Sequence, residues 1–288
     1  MKTAEDRIVV FDGNCRFCTS VIAHLTKWKW IDSTKTEPYY ELSADKQAKV
    51  NLDHFRSEMA VIDMDGSETL YGLEGVLYAT GYRFPFLRKI KRNSFIFPFM
   101  EFLYKNVAWN RYVIMRPIST IKCDCEPSLN KTYRLSLFAI CSIIAVIITS
   151  LFGLAVGAHV HITPIEALKW ALLAIGTGWV LQILFVMLLL RGEQLFNYLG
   201  HLGVIMLVGV LVLIPGLLFF WLPDTAFSIV MGMNVLCSSL LMLRMHYKRA
   251  ASIGLSQLWT VSWFLFLQGG AIFWLKVFFL SALTGIIY

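Results

Sequence analysis

Charged residues are scarce in this chain. They make up 16% of its 288 residues, whereas an average soluble domain has about 25%, and 57% of the residues are hydrophobic. The charges lie mainly in the first half, and beyond Arg134 the sequence is apolar for long runs. This segregation excludes a single soluble domain. It predicts a soluble domain over residues 1–130 and a transmembrane helical domain over residues 131–288.

A secretory signal is also lacking, because the first apolar run, residues 8–11, is too short for the apolar core of such a signal. We therefore expect the first domain to stay on the cytoplasmic side, where it is made. Basic residues support this orientation, since they are far more frequent in the connections on the N-terminal side of the membrane. Those on the N-terminal side are Lys122, Lys131, Arg134, Arg191, Arg244, Lys248 and Arg249, against Lys169 alone on the other side. We therefore expect a cytoplasmic N-terminal domain and an external Tyr288, as in a multi-pass protein of a bacterial inner membrane.

Five apolar runs in the second half reach the ~20 residues that a membrane-spanning helix needs. They are residues 135–158, 167–190, 199–222, 225–243 and 258–287. The last run predicts one long or tilted helix that could kink at Gly269-Gly270, and a tight helical hairpin there would give six spans instead. The second half is thus predicted to be an all-α bundle of about five spans.

Ionisable residues are rare inside these runs, which disfavours an ion-coupled transporter. The uncharged polar residues Gln182, His201, Asn234, Gln257 and Gln268 are expected to form hydrogen bonds between helices. The chain also lacks a phosphate-binding loop, a Ser/His/Asp pattern and paired carboxylates, and its histidines form no metal motif. We expect no cofactor. The net charge of +7 fits a membrane surface better than a nucleic acid.

The chemistry lies in a Cys-x-x-Cys pair near the N-terminus. Residues 8–11 predict a buried strand, Asp12-Gly13-Asn14 a turn, and residues 19–30 a helix. A helix N-terminus lowers the pKa of a thiol placed there, so Cys15 is predicted as the attacking thiolate and Cys18 as the resolving thiol. Asp12 could relay the proton of Cys18, or it could be an Asx-turn residue that binds backbone N–H groups.

The rest of the first half completes a thioredoxin-like order of elements. Residues 60–63 and 68–71 flank a turn at residues 64–67 and predict a β-hairpin, and residues 73–82 predict a helix. Thioredoxin-like folds usually place a cis-proline opposite the Cys-x-x-Cys pair. Residues 56–60 contain no proline, which disfavours exchange with an unfolded polypeptide.

The segment Phe11-Asp12-Gly13-Asn14-Cys15-Arg16-Phe17-Cys18 resembles the FDGxCxFC signature of the DCC family of thiol-disulfide oxidoreductases. The resemblance continues through Asp65-Gly66, Tyr104, Asn110-Arg111-Tyr112 and Cys125-Glu126-Pro127, and it covers residues 7–128. It implies an α/β thioredoxin-like fold with Asp12, Cys15 and Cys18 at the site. No substrate follows from it.

A second cysteine pair, Cys123-Asp124-Cys125, has three interpretations. It could complete a four-thiolate zinc site with Cys15 and Cys18. It could be a second redox pair that receives electrons from the first, or it could be two ordinary thiols near the membrane. The sequence leaves all three open.

Three functions follow from these features. The leading hypothesis is a membrane-anchored thiol-disulfide oxidoreductase or thiol redox sensor, because structural disulfides do not persist in a reducing cytoplasm. The alternatives are a non-enzymatic scaffold or zinc-binding partner module, and a membrane enzyme or carrier for an apolar substrate that the Cys-x-x-Cys domain regulates.

Two partners are expected: membrane lipid and a membrane-associated thiol or disulfide protein. Residues 84–109 mix aromatic side chains with Arg88, Lys89, Lys91 and Arg92, which suits the lipid headgroup layer. The same segment could instead form a helix that closes the core of the soluble domain.

Overall fold

The structure is a computed structural model that describes residues 7–63, 68–81, 83–90, 95–118 and 123–283. The chain divides into two compact units, Met1–Arg134 and Leu135–Tyr288. The predicted hairpin turn at residues 64–67 and the basic residues Lys91 and Arg92 lie outside the described residues.

The first unit contains a four-stranded mixed sheet with the order β2-β1-β3-β4. Its strands are β1 (Arg7–Phe11), β2 (Thr36–Pro38), β3 (Ala60–Asp63) and β4 (Leu70–Tyr71). The first two strands are parallel, and β3 runs antiparallel to both of its neighbours. The predicted thioredoxin-like α/β arrangement is confirmed, including the pairing of β3 with β4.

Helices cover both faces of this sheet. They are α1 (Arg16–Lys27), α2 (Ala44–Gln47), α3 (Leu52–Phe55), α4 (Gly72–Thr80), α5 (Leu87–Ile90) and α6 (Ile96–Ile114), with 3-10 turns at Ser33–Lys35 and Tyr39–Glu41. Neighbouring residues of β1 therefore enter two different cores. Val10 packs with Phe55 and Ile62, while Val9 packs with Ile22 of α1. A strand buried on both faces reads as a continuous apolar run, as residues 8–11 do.

The second unit is all helical. Its helices are α7 (Lys131–His159), α8 (Pro164–Leu189), α9 (Gly192–Leu211), α10 (Ile214–Leu217), α11 (Asp224–Ser252) and α12 (Gln257–Leu283). Five segments of the described chain are long and apolar enough to cross a membrane, with α9 and α10 counted together. The predicted five long apolar helices are confirmed in the described chain, and α12 continues through Gly269-Gly270 as one helix.

The third span begins at Gly192, earlier than the predicted residue 199. Its first turn carries Glu193 and Gln194, which lower the local hydropathy but do not prevent helix formation. The apolar pattern locates the lipid-facing part of a helix, whereas the helix itself extends into its polar ends.

Small residues and polar side chains join these helices. A Cβ atom on Gly178 of α8 would lie 2.5 Å from the Cα of Leu267 in α12, so only glycine allows this close approach. The five uncharged polar residues predicted to bond between helices all do so. Gln182 donates to Tyr198, Asn234 to the Leu213 carbonyl, Gln257 to Tyr247 and Gln268 to Ser239, and His201 pairs with Arg249.

Candidate functional site

Cys15 is the N-cap residue of α1. Its backbone is extended, at φ −88° and ψ 111°, and its sulfur accepts a hydrogen bond from the backbone N–H of Cys18 at 3.2 Å. The N–H of Cys15 in turn donates to the carbonyl of Asp12 at 3.2 Å, which closes the turn after β1. A sulfur therefore takes the place that an oxygen usually has at a helix N-cap.

The pKa values of the two thiols of the pair are shifted in opposite directions. The hydrogen bond from the Cys18 thiol lowers the pKa of Cys15, and the Cys18 backbone N–H and the Arg111 guanidinium lower it further, against the effect of burial. The same hydrogen bond to Cys15, together with burial, raises the pKa of Cys18 far above its ordinary value. Both thiols are free in this structure. Cys15 is thus the more acidic thiol of the pair.

The thiol with the lower pKa is the less exposed one. Cys15 is completely buried, whereas Cys18 is half-buried and lines a mainly apolar cavity of about 390 Å³. Other residues around this cavity include Phe17, Val21, Leu103, Tyr104, Val107 and Arg111. A molecule that enters the cavity meets Cys18, and the assignment of Cys15 as the attacking thiolate toward a partner stays a prediction.

Asp12 uses both carboxylate oxygens in the fold of the site. Oδ1 accepts from the backbone N–H of Asn14 at 2.9 Å, which is the Asx turn expected as one of its two roles. Oδ2 accepts from Arg111 Nη2 at 3.1 Å and from the hydroxyl of Tyr112 at 2.9 Å. The proposed proton relay from Cys18 stays a prediction.

Arg111 of α6 connects three separate segments at the base of the site. Besides Asp12, its guanidinium donates to the carbonyl of Arg56, before β3, at 2.8 Å and to the carbonyl of Cys125 at 2.6 Å. Its side chain is 5% exposed, so these bonds compensate for the burial of its charge. The side chain therefore fixes the Cys-x-x-Cys turn relative to the loop that carries the second cysteine pair.

Cys123 and Cys125 are joined in a disulfide, with 5.4 Å between their Cα atoms. Asn14 donates its side-chain amide to the Cys123 sulfur at 3.1 Å and to the Cys123 carbonyl at 3.0 Å. On the other side of the loop, Arg56 forms an ion pair with Asp124. This pair belongs to the Cys-x-x-Cys site rather than to a separate segment before the first span.

The four cysteines considered as a possible zinc site, Cys15, Cys18, Cys123 and Cys125, do not form one group of ligand atoms. Among the described residues, the potential metal-ligand atoms within 4.8 Å of one another belong to Asp12, Cys123 and Cys125. Cys15 and Cys18 lie outside this group. While the disulfide is formed, the Cys123 and Cys125 sulfurs are bonded to each other, so a metal would require their reduction first.

Asn14, Arg56, Arg111 and Tyr112 were not assigned roles from the sequence. Asn110-Arg111-Tyr112 stood out as part of the family resemblance, but its partner Asp12 lies 99 residues before Arg111. The one local signal for the role of Arg111 is its position, with Asn110 and Tyr112, in an otherwise apolar helix. A charge that is buried in such a helix requires a partner.

No curated protein and no solved structure significantly matches the chain. Residues 9–117 match the family model described as DCC1-like thiol-disulfide oxidoreductase, a range that holds Asp12, Cys15, Cys18, Arg111 and Tyr112 and ends before Cys123. Over residues 9–117, the N-terminal unit of the chain is therefore similar to DCC1-like thiol-disulfide oxidoreductases, and in the described part of the chain it is followed by five helices long and apolar enough to span a membrane.

Proposed function

We propose that the protein is a membrane-anchored thiol-disulfide oxidoreductase whose Cys15 and Cys18 alternate between a dithiol and a disulfide. The observation that supports it is Cys15 at the N-cap of α1, where its sulfur accepts hydrogen bonds from Cys18 and lies near the buried Arg111. These contacts stabilise a thiolate, the reactive form in disulfide exchange.

The exposed sulfur sets the direction of attack. In the oxidised protein, a partner thiolate that enters the apolar cavity reaches Cys18, forms a mixed disulfide with it and breaks the Cys15–Cys18 bond, and Cys15 leaves as a thiolate. A second thiolate of the partner then attacks its own sulfur in the mixed disulfide and releases Cys18, which takes up a proton. Two electrons pass from the partner to the pair. A leaving thiol with a lowered pKa speeds such a reaction.

The cavity also indicates the kind of partner. Its walls are mainly apolar, and the backbone N–H of Met59 before β3 is already bonded to the Tyr104 hydroxyl at 3.0 Å. An extended substrate backbone could not use that N–H. We therefore propose a folded thiol or disulfide protein that presents apolar side chains, as a membrane-associated partner does.

The first half of α6 supports contact with membrane lipid. Phe99 and Phe102 of this half are exposed by 61% and 43%, and Phe95, just before the helix, by 85%, whereas the second half, with Asn110 and Arg111, is buried in the domain. The second half therefore closes the core of the soluble domain, which is one of the two interpretations of this segment. We propose that the exposed half lies at the lipid surface. Replacing Phe95 and Phe99 by Ser should speed amide exchange there in nanodiscs, and an unchanged rate would contradict lipid contact.

The redox function is tested on the full-length protein in detergent. We expect a set of glutathione buffers to interconvert a dithiol and a Cys15–Cys18 disulfide, read by alkylation and mass spectrometry. Cys141→Ser in α7 is the matched control, because Cys141 is buried far along the chain from the site, and it should leave the equilibrium unchanged. If Cys15 and Cys18 stay dithiols in every buffer in which glutathione itself is oxidised, the protein is not an oxidoreductase of this kind.

A further inference from the structure

The loop of Cys123 and Cys125 is fixed against the Cys-x-x-Cys turn by side chains from three segments. Asn14 bonds Cys123, Arg111 bonds the Cys125 carbonyl at 2.6 Å, and Arg56 pairs with Asp124. The Arg111 side chain also donates to Asp12, and so does the backbone N–H of Asn14. Ordinary thiols in a connecting segment would not need such a set of contacts.

Both cysteine pairs lie beside Asp12, and each pair has one completely buried cysteine. Cys15 and Cys125 are both 0% exposed, and Cys125 packs in the core of the sheet beside Val10 of β1. A carboxylate oxygen of Asp12 lies within 4.8 Å of the Cys123 and Cys125 sulfurs, and the Asp12 carbonyl accepts from the Cys15 N–H. Cys15 has no solvent-exposed surface. The Cys123–Cys125 disulfide lies next to the turn that carries Cys15, because Asn14 of that turn bonds to Cys123.

We propose that Cys123 and Cys125 are a second redox pair that exchanges its disulfide with Cys15 and Cys18 inside the domain. The inference rests on the proposed redox activity of the Cys-x-x-Cys pair and adds a destination for its electrons. Cys18 then faces the external partner and Cys15 faces the internal disulfide.

The exchange is balanced without another reactant. The Cys15 thiolate attacks Cys125 Sγ, a Cys15–Cys125 bond forms, the Cys123–Cys125 bond breaks, and Cys123 leaves as a thiolate. Cys18 loses its proton and attacks Cys15 Sγ, and Cys125 leaves. The Cys15–Cys18 disulfide is formed, and the Cys123–Cys125 pair has gained two electrons and the one proton of Cys18, which leaves Cys123 as a thiolate and Cys125 as a thiol.

Asn14 determines which sulfur leaves. Its amide donates to Cys123 Sγ at 3.1 Å, and the same bond would stabilise a thiolate there. Disulfide exchange is faster when the leaving sulfur is the better stabilised thiolate. Attack is therefore directed to Cys125, which like Cys15 is completely buried.

A Cys18→Ser variant traps the intermediate, because the resolving thiol is absent. Trypsin separates the relevant cysteines, since residues 8–16 contain Cys15, residues 17–27 contain residue 18, and residues 123–131 contain the second pair. We expect the full-length variant, purified in detergent without reductant, to yield the 8–16 peptide linked to the 123–131 peptide. In Cys15→Ser, the 17–27 peptide, which carries Cys18, should not become linked to the 123–131 peptide. If that link forms in the same yield, Cys15 is not the cysteine that attacks the second pair.

A kinetic measurement covers the case in which Cys18→Ser does not fold. A soluble dithiol should reduce Cys123–Cys125 in the wild-type protein through Cys15 and Cys18, and at least about tenfold more slowly in Cys15→Ser. Asn14→Ala should slow it by roughly tenfold, the effect of losing a hydrogen bond to a charged group. Cys141→Ser is the control with no expected change.

Equal reduction rates in wild type and Cys15→Ser would overturn the second redox pair. This result is distinct from failure of the proposed function, because the Cys15–Cys18 pair would still titrate with glutathione in a Cys123→Ser, Cys125→Ser variant.

Discussion

Arg111 Nη2 lies 3.1 Å from Asp12 Oδ2, and both side chains are at least 95% buried. Both charges are largely shielded from solvent, so each depends on the other and on the hydrogen bonds that surround the pair. The pair joins α6 to the turn that carries Cys15 and Cys18. Through this contact, α6 near the end of the domain determines the geometry of the turn after β1.

Arg111→Met should destabilise the soluble unit by about 3–5 kcal/mol, because it leaves Asp12 as an unpaired buried carboxylate. Thermal unfolding of the full-length protein in detergent measures this loss. Arg116→Met is the matched control, since Arg116 is exposed near the end of the same segment, and it should change the midpoint little. Adding Asp12→Asn to Arg111→Met should recover part of the loss, and no recovery would show that the ion pair is not its cause.

Cys15 should ionise at lower pH than a free cysteine, and Cys18 at higher pH. The thiolate of Cys15 is stabilised in the folded protein, so its contribution to stability is present above the ordinary thiol pKa and is lost as the pH falls through the lowered pKa of Cys15. Thiolate absorbance against pH measures the midpoint. Cys18→Ala removes the largest cause of the shift and should move this midpoint upward, whereas Cys141→Ser should not.

Local sequence patterns predicted much of this domain. The order of β1, turn, Cys15, Cys18 and α1 is encoded within a few consecutive residues, so turn chemistry and helical spacing suffice to find it. The same holds for the five spans, because lipid requires long apolar runs.

The long-range contacts of the site could not be predicted in this way. Asn14 and Cys123 are 109 residues apart, and Arg56 and Asp124 are 68 apart. Only the folded sheet and α6 bring them together. Cys15 is buried and Cys18 is more exposed because of the segments that pack around the turn. That packing cannot be deduced from a single sequence.

Gly178→Ala should destabilise the helical unit, because the new Cβ would lie 2.5 Å from the Leu267 Cα and 2.7 Å from the Phe266 carbonyl oxygen. The usual gain of Ala over Gly inside a helix, about 0.5–1 kcal/mol, is too small to offset that overlap. Gly176→Ala in the same helix is the matched control, since no atom lies within 4 Å of its Cβ position. Thermal unfolding in detergent should separate the two variants. Equal midpoints would show that α8 and α12 separate at little cost.

The basic residues of the connections predict that the N-terminal unit is cytoplasmic and Tyr288 external. Alkaline phosphatase fused after Tyr288 should be active and a cytoplasmic fluorescent reporter fused there dark, with the reverse at the N-terminus. Reversal of both results would mean an inverted protein. Both ends on one side would mean an even number of spans, against the five segments described.

The 99-residue separation of Asp12 from Arg111 also sets a timetable for biosynthesis. At about 5–20 residues per second, the ribosome makes Arg111 roughly 5–20 seconds after Asp12. Cys125 follows, and α7 begins at Lys131. The reactive thiols of the nascent chain therefore wait for their buried surroundings until the first apolar helix is being made. Closure of the site and synthesis of that helix thus become neighbouring events, and a delay in closure leaves Cys15 and Cys18 open to oxidation.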